Sequence, residues 1–404
     1  MSMINIDSIN VDVIKRVEHS ETMSTLIRSA EAAAILGVSK PTLYAYVSRG
    51  RLARATAADG RTSLFARDEV QRLAERSRRA PSGPRATIDV QISSGVTVID
   101  EHALSYRGAD AVELAQTRTF EDVAEFLWSG VDRSAPATVW PRVDRPTSAA
   151  LAPIDGLSVS PIGRMATAAH VLAALHVDDI PSDAARRLLV AVPAVLGSTH
   201  RTGPYARRLA GAWKRRPSEQ LVAALDSALI LLTDHELATS TLAVRIGASV
   251  RTSAYAGFAA GLATIDGLLH GSASAEVSRF LAACSASEPS AVIAQLRASR
   301  APIPGFGHKV YRGVDPRYGL LADHVRRLDP SEADLLDAVV AEAGRAIAHQ
   351  PNVDLALGAL TRAAHLGADT PIFAVARIAG WAAHFAEELD ERPLRFRGVA
   401  TPVR

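Results

Sequence analysis

Cysteine is almost absent from these 404 residues: Cys284 stands alone, so no disulfide can close within one chain. That fits a reducing compartment. Aromatic residues are also scarce, at 5 %, while alanine is frequent among the apolar residues. Small side chains with high helix propensity favour close-packed helices over pleated sheets. An excess of one charge sign is missing too, since the formal net charge is only +2, so the chain as a whole is not a polyelectrolyte. No apolar run approaches the roughly 20 residues that a membrane span requires; the longest, Leu188 to Gly197, contains Pro193. The first residues, Met1 to Arg16, are interrupted by Asn5, Asp7, Asn10 and Asp12, which leaves no apolar core for a signal peptide. A soluble, cytoplasmic protein is expected.

Within that frame the chain has punctuation for more than one domain. Residues 1–22 read as a flexible tail, 23–80 as a compact unit, and 81–87 as a linker carrying Pro81, Gly83 and Pro84. Residues 88–404 form the main body, with a smaller catalytic subdomain over about 271–375. Alternating Ile88/Val90/Ile92 and Val96/Val98 around Ser94-Gly95 predict a small hairpin over 88–99. Thr119 and Asp122 stand in capping-box spacing before an amphipathic helix reaching Trp128. Residues 131–165 are proline-rich and read as irregular. From Met165 to Glu388 nearly every segment reads as helix. The expected fold is mainly α.

The compact unit has a local charge of its own. Between Glu21 and Arg85 there are 12 Lys/Arg against 6 Asp/Glu. Ser29 opens a helix through Leu36, Gly37 provides the turn, and Ser39 with Pro41 opens a second helix carrying Leu43, Tyr44 and Val47. Asp59-Gly60 marks a hairpin within Leu52–Phe65. This is a helix-turn-helix pattern with a wing, and it resembles the winged heads of the MerR and excisionase families. The resemblance implies DNA binding, with Lys40, Thr42, Tyr44 and Tyr46 at the groove and Arg49, Arg51 and Arg61 on phosphates. A module that only contacts another protein is the plainer alternative.

Three stretches of the body set polar residues inside apolar, glycine-punctuated sequence. They are Asp266-Gly267-Leu268-Leu269-His270-Gly271, Pro304-Gly305-Phe306-Gly307-His308 running on to Asp315-Pro316-Arg317, and Pro351-Asn352-Val353-Asp354, with Arg377 and Glu391-Arg392-Pro393 further on. Singly, each has an ordinary reading: a structural histidine, a helix-capping aspartate, a satisfied interhelical arginine. A histidine held at a helix N-terminus would be kept neutral and ready to donate.

In this order and spacing the stretches resemble the citrate synthase family, which includes 2-methylcitrate synthases. Leu232-Thr233-Asp234-His235-Glu236, Tyr106-Arg107-Gly108 and Gly380-Trp381-Ala382-Ala383-His384 extend the match, which covers about residues 87–404. The resemblance implies all-helical large and small domains and an acyl-CoA:oxaloacetate condensation followed by thioester hydrolysis. It implies Asp354 as the base, His270 on the thioester oxygen and His308 on the oxaloacetate ketone. His235, Arg317 and Arg377 are implied as further oxaloacetate ligands. Arg392 is implied to reach a neighbouring subunit's site, hence a homodimer. Arg312 and the backbone of Ile303, Pro304, Gly305, Phe306 and Gly307 are implied around CoA. No metal or redox cofactor is expected. The family usually has asparagine at the position of Ser274 and often glycine at Ser272. A second reading makes the body a sensor of oxaloacetate or acyl-CoA for a DNA-binding regulator.

Overall fold

The computed structural model describes residues 26–36, 43–44, 47, 52–57, 59, 62–67, 69–71, 91–132, 138–177, 180–267, 270–271 and 273–398. The chain divides into two units, Met1–Gln91 and Ile92–Arg404. The tail at 1–22, the linker at 81–87, and Lys40, Thr42, Tyr46, Arg49, Arg51, Arg61 and Ser272 lie outside the described residues.

In the first unit, strand β1 (Leu26–Arg28) leads into helix α1 (Ser29–Leu36), and β2 (Ala55–Thr56) pairs with β3 (Ser63–Ala66) across the Asp59 turn. The sheet order is β1-β3-β2, all antiparallel, with Leu26 opposite Ala66. Asp59 closes the wing by accepting from the Thr62 amide at 2.8 Å. Ile27, Ala32, Ala33, Leu43, Leu52, Phe65 and Val70 make a core of their own. The wing falls where the sequence places it. The third strand, β1, is an addition: three residues whose single buried side chain, Ile27, gives no readable alternation.

The second unit begins with a three-stranded antiparallel sheet, β4 (Thr97–Ile99), β5 (Leu104–Tyr106) and β6 (Ala109–Asp110). The hairpin expected over 88–99 is therefore displaced. Residues 91–94 are not strand, and β4 pairs forward with β5 instead. The reason is local. The Asp100 side chain accepts from the amides of His102 and Ala103, both at 2.7 Å, and makes the turn there. Ser94 and Gly95 instead donate to Glu387, through the hydroxyl at 2.9 Å and the amide at 2.8 Å.

The rest is helical. Helices α2 (Ala111–Thr117), α3 (Phe120–Ser129), α4 (Arg145–Leu151), α5 (Pro161–Leu175) and α6 (Pro181–Val195) come first. Then follow α7 (Tyr205–Ala210), α8 (Glu219–Leu232), α9 (Thr239–Ser249) and α10 (Ala254–Ile265). Helices α11 (Ala273–Ala286), α12 (Pro289–Ala298), α13 (Pro316–Leu328), α14 (Pro330–Ala346), α15 (Val353–Ala363) and α16 (Ile372–Asp390) complete it. Thr119 caps α3 in a full capping box with Asp122. The proline-rich stretch 131–165 is less irregular than it reads. Pro146 and Pro161 occupy the first turns of α4 and α5, where a missing N–H costs nothing.

Helix α16 is the axis of the unit; Trp381 and Phe385 are buried on it, and it packs on α3, α6, α8, α9 and α10. Helices α11 to α15 pack chiefly on one another, and α13 meets α8. Among the described residues no helix is long and apolar enough to cross a membrane.

Candidate active site

One cavity of about 180 Å³ is lined by His235, His270, His308, Arg317, Asp354 and Arg377, together with Ala238, Gly271, Ala273, Ser274, Val353 and Phe373. Residues that span 143 positions of sequence (235 to 377) thus meet at one point. His235 follows α8, His270 precedes α11, His308 lies in the loop before α13, and the others stand near the starts of α13, α15 and α16.

The starts of α13 and α15 are tied together by Asp315, which caps α13 ahead of Pro316. Its carboxylate takes a bidentate fork from Arg317 at 2.9 and 2.7 Å and also accepts the Val353 amide at 3.1 Å. Asn352 caps α15 and accepts from the Asp354 amide at 3.0 Å. Its side-chain amide donates to the Gly307 carbonyl at 2.8 Å, and the Gly307 amide donates to the Gln350 carbonyl at 2.8 Å. The loop Ile303–Gly307 is thereby laced to the segment that presents Asp354. Gly305 sits at φ +83°, and a Cβ there would stand 2.7 Å from the Leu355 side chain; only glycine combines that dihedral with that approach.

The other wall is organised by Asp234. Its carboxylate, fully buried, accepts from Thr97 Oγ1 at 2.5 Å and His384 Nε2 at 3.0 Å, and Arg377 Nη1 lies 3.7 Å away. Arg377, Gly380 and His384 lie at i, i+3 and i+7 on one face of α16. A Cβ at Gly380 would be 2.4 Å from the Thr233 carbonyl and 2.9 Å from Asp234. The missing side chain lets the helix come close enough for Asp234 to fit between Arg377 and His384. Beyond His384, Arg245 donates to its Nδ1 at 3.0 Å and to Glu387 and Glu388, each at 2.9 Å. Glu388 in turn accepts Arg395. Burial alone would raise the Asp234 pKa, but His384 and Arg377 hold it below the ordinary value.

The hydrogen bonds set the imidazole tautomers. His308 Nδ1 accepts from the amides of Val310 at 3.1 Å and Tyr311 at 3.3 Å, so the neutral ring carries its proton on Nε2. His270 Nε2 accepts the Ser240 amide at 3.3 Å and lies 2.8 Å from the Ser240 hydroxyl, which leaves the proton on Nδ1. Burial pushes the pKa of both rings down, assisted at His270 by Arg377 and at His308 by Arg317. His270 lies in a turn three residues before α11 begins. His235 is lowered by burial and by Arg317, Arg377 and His308, and its Nε2 lies 3.2 Å from the Tyr311 hydroxyl. The Asp354 carboxyl moves the other way: burial raises its pKa, Asp315 adds to this, and Arg317 and Arg377 oppose it.

The cavity is thus a neutral-donor, cationic-wall site with one basic carboxylate. Arg377 is 3 % exposed, and its Nε and Nη1 have no hydrogen-bond partner. Such donors are costly unless an anion takes them.

Not every expected residue joins this cavity. Ile303 to Gly307 and Arg312 do not line it; Arg312 is exposed and pairs with Glu101 at 3.2 Å. Arg392 is exposed and does not line its own chain's cavity. In the first unit the Tyr44 hydroxyl donates to Ser63 Oγ on β3 at 3.3 Å. Sequence reasoning gave no role to Asp234, Asp315, Ser240, Tyr311 or His384. The Asp-Pro pair at 315–316, a capping signature two residues before Arg317, is a local signal for Asp315, while Asp234 and His384 stand in stretches that carry the resemblance without a role of their own.

The mainly helical body has the fold of citrate synthases. Solved citrate synthases from Thermoplasma acidophilum and Thermotoga maritima superpose with TM-scores of 0.68 and 0.66 at 22 % and 23 % identity. Each covers 78 % of this chain, and the match covers 94 % and 93 % of the respective structures. The chain belongs to the citrate synthase family: the family model described as citrate synthase, C-terminal domain, matches residues 88–397. A citrate synthase of Corynebacterium glutamicum is 28 % identical over 348 residues, 73 % of this chain and 79 % of the relative. A 2-methylcitrate synthase of Mycobacterium tuberculosis is 27 % identical over 328 residues, 72 % of this chain and 83 % of the relative. A helix-turn-helix domain model matches residues 26–78.

Proposed function

We propose that this protein condenses an acyl-CoA with oxaloacetate and hydrolyses the resulting thioester, as a citrate or 2-methylcitrate synthase does. The observation that carries the reading is the single cavity in which a pKa-raised carboxylate, two neutral imidazole donors and two buried arginines converge. The Thermoplasma acidophilum structure contains carboxymethyl coenzyme A and oxaloacetate, ligands of the chemistry this cavity suits.

In the proposed step Arg317 and Arg377 take the two carboxylates of oxaloacetate, aided by His235, and His308 Nε2–H donates to its ketone. Asp354 removes a proton from the α-carbon of the thioester. That proton is far less acidic than any carboxyl group, so a base raised by burial narrows the gap. His270 Nδ1–H donates to the thioester oxygen as it becomes an enolate, from a fixed position that needs no reorganisation. The enolate carbon attacks the polarised ketone, whose oxygen takes a proton from His308. Water then cleaves the thioester, releasing CoA thiol and the tricarboxylate. The scheme uses no metal and no redox cofactor.

CoA is proposed to lie along Ile303–Gly307, with Arg312 toward its phosphates. The exposed Arg392 is proposed to enter the site of a second subunit, making a homodimer. The helix-turn-helix head is proposed to bind DNA, a dimer offering two heads to a two-fold site. Thiol release from acetyl-CoA and propionyl-CoA with oxaloacetate tests the enzyme. No release at high enzyme concentration, with Asp354→Asn indistinguishable from the parent, would sink it. A gel shift with DNA from upstream of the gene tests the head, and no sequence-specific shift would remove that part.

A further inference from the structure

A second cavity, of about 230 Å³, meets the site at Gly271, Ser274 and Phe373, the residues that line both. Its walls are mainly apolar, with Pro161, Ile162, Ile265, Ala275, Pro371 and Ala374 among them. A third cavity of about 420 Å³ shares Ser160, Pro161, Asp369 and Thr370 with it and is lined in addition by Val159, Arg164, Leu196, Trp213 and Gly367. The second and third cavities together are several times the size of the 180 Å³ reaction chamber. The scheme above, with an acetyl or propionyl group, makes no use of this volume.

The join falls at the acyl end of the chamber. His270, the proposed thioester-oxygen donor, immediately precedes Gly271, and Ser274 and Phe373 line the chamber together with Asp354. Ser274 and Phe373 line both the chamber and the second cavity, so a group on the α-carbon that points away from Asp354 and the ketone has beside it a mainly apolar space, with Asp266 and Asp369 among its lining residues. A mainly apolar cavity that adjoins a reaction chamber suits the apolar part of a substrate.

We propose that the acyl-CoA substrate of this protein carries a linear acyl chain of four to eight carbons, seated in the passage behind Ser274 and Phe373. The inference rests on the condensation reading and names its substrate class. Each methylene that enters an apolar wall contributes roughly fourfold in kcat/KM. Hexanoyl-CoA is thus expected to exceed acetyl-CoA by at least tenfold.

The test is thiol release with oxaloacetate across acetyl-, propionyl-, butyryl-, hexanoyl- and octanoyl-CoA. It is run on the full chain and on Ala275→Leu and Ala368→Leu, which fill the second cavity and do not line the reaction chamber. The expected result is a kcat/KM that rises with chain length in the parent. In at least one filled variant, hexanoyl-CoA should lose at least tenfold while acetyl-CoA stays within twofold. Turnover confined to acetyl- and propionyl-CoA overturns the passage and leaves the condensation standing. Hexanoyl turnover that both fillings leave untouched overturns the passage as well. No release with any chain length overturns condensation and passage together.

Discussion

Asp234→Asn is the substitution that separates the charge architecture of this site from its chemistry. Asp234 touches no proposed reacting atom, yet it stands 3.7 Å from Arg377 in a fully buried position. At that distance and an effective dielectric near 20, the attraction is about 4 kcal/mol. Asparagine keeps the shape but cannot keep all the contacts. With its oxygen toward Thr97 and His384, its NH2 faces Arg377 Nη1; turned over, the NH2 faces His384 Nε2–H. Breaking a buried pair at one partner costs roughly 3–5 kcal/mol, and retained polar contacts put the loss near the lower figure. For a unit the size of Ile92–Arg404, 1 kcal/mol moves Tm by about 1.5 °C, so the Tm of the ligand-free protein should fall by roughly 5 °C. A dicarboxylate replaces the missing negative charge at Arg377. Saturating oxaloacetate should therefore raise the Tm of Asp234→Asn by more than it raises that of the parent, recovering at least half of the loss. Thermal melts with and without oxaloacetate measure both quantities. An equal loss in the two conditions would refute the view that Asp234 is the resting counter-ion of an anion-binding arginine.

Asp354→Asn should cut kcat by about 10²–10⁴, the usual contribution of a general base. Because burial raises the Asp354 pKa, the ionised carboxylate is disfavoured in the fold above its unfolded pKa. The same variant should therefore be more stable than the parent at pH 7, and the acid limb of the parent's kcat/KM profile should lie above the ordinary carboxylate range. Gly305→Ala forces a Cβ against Leu355 at positive φ and should cost about 1–3 kcal/mol in urea melts, with a lower kcat from the displaced start of α15. Ser240→Ala removes the hydroxyl beside His270 Nε2 and should lower kcat with the oxaloacetate KM unchanged. Arg392→Ala and Asp354→Asn should each be impaired alone. Mixed and allowed to exchange subunits, they should regain activity, since one site of each mixed dimer would have both residues; no regain argues against a shared site.

The elements that were readable in the sequence are those whose signals are local. Thr119 with Asp122 announced α3, and Asp59-Gly60 announced the wing. The hairpin at 88–99 was misplaced because Ser94-Gly95 is locally a good turn. What claims it is Glu387, some 290 residues away. The same distance effect hides Asp234 and Arg245. Nothing near Thr233-Asp234-His235 says that His384 and Arg377 will close on it, and Arg245 finds its carboxylates 142 and 143 residues later. His270, His308 and Asp354 were legible only as a set, through the order of their motifs. Their tautomers and shifted pKa values come from backbone amides and burial that only the fold supplies.

Each arginine of the cavity is anchored from behind by its own aspartate, Arg317 by Asp315 and Arg377 by Asp234, and the two aspartates belong to different walls. Asp315, Arg317 and Asp354 belong to one piece, because Asp315 joins the starts of α13 and α15, its carboxylate accepting the Val353 amide and its own amide donating to the Pro351 carbonyl. Arg377 moves with α16. A four-carbon dicarboxylate held by both guanidinium groups is then a removable cross-link between the wall that carries the base and the wall that carries Arg377. Its occupancy sets how far apart those walls can stray. The substrate thereby serves as a structural member of the site it is consumed in.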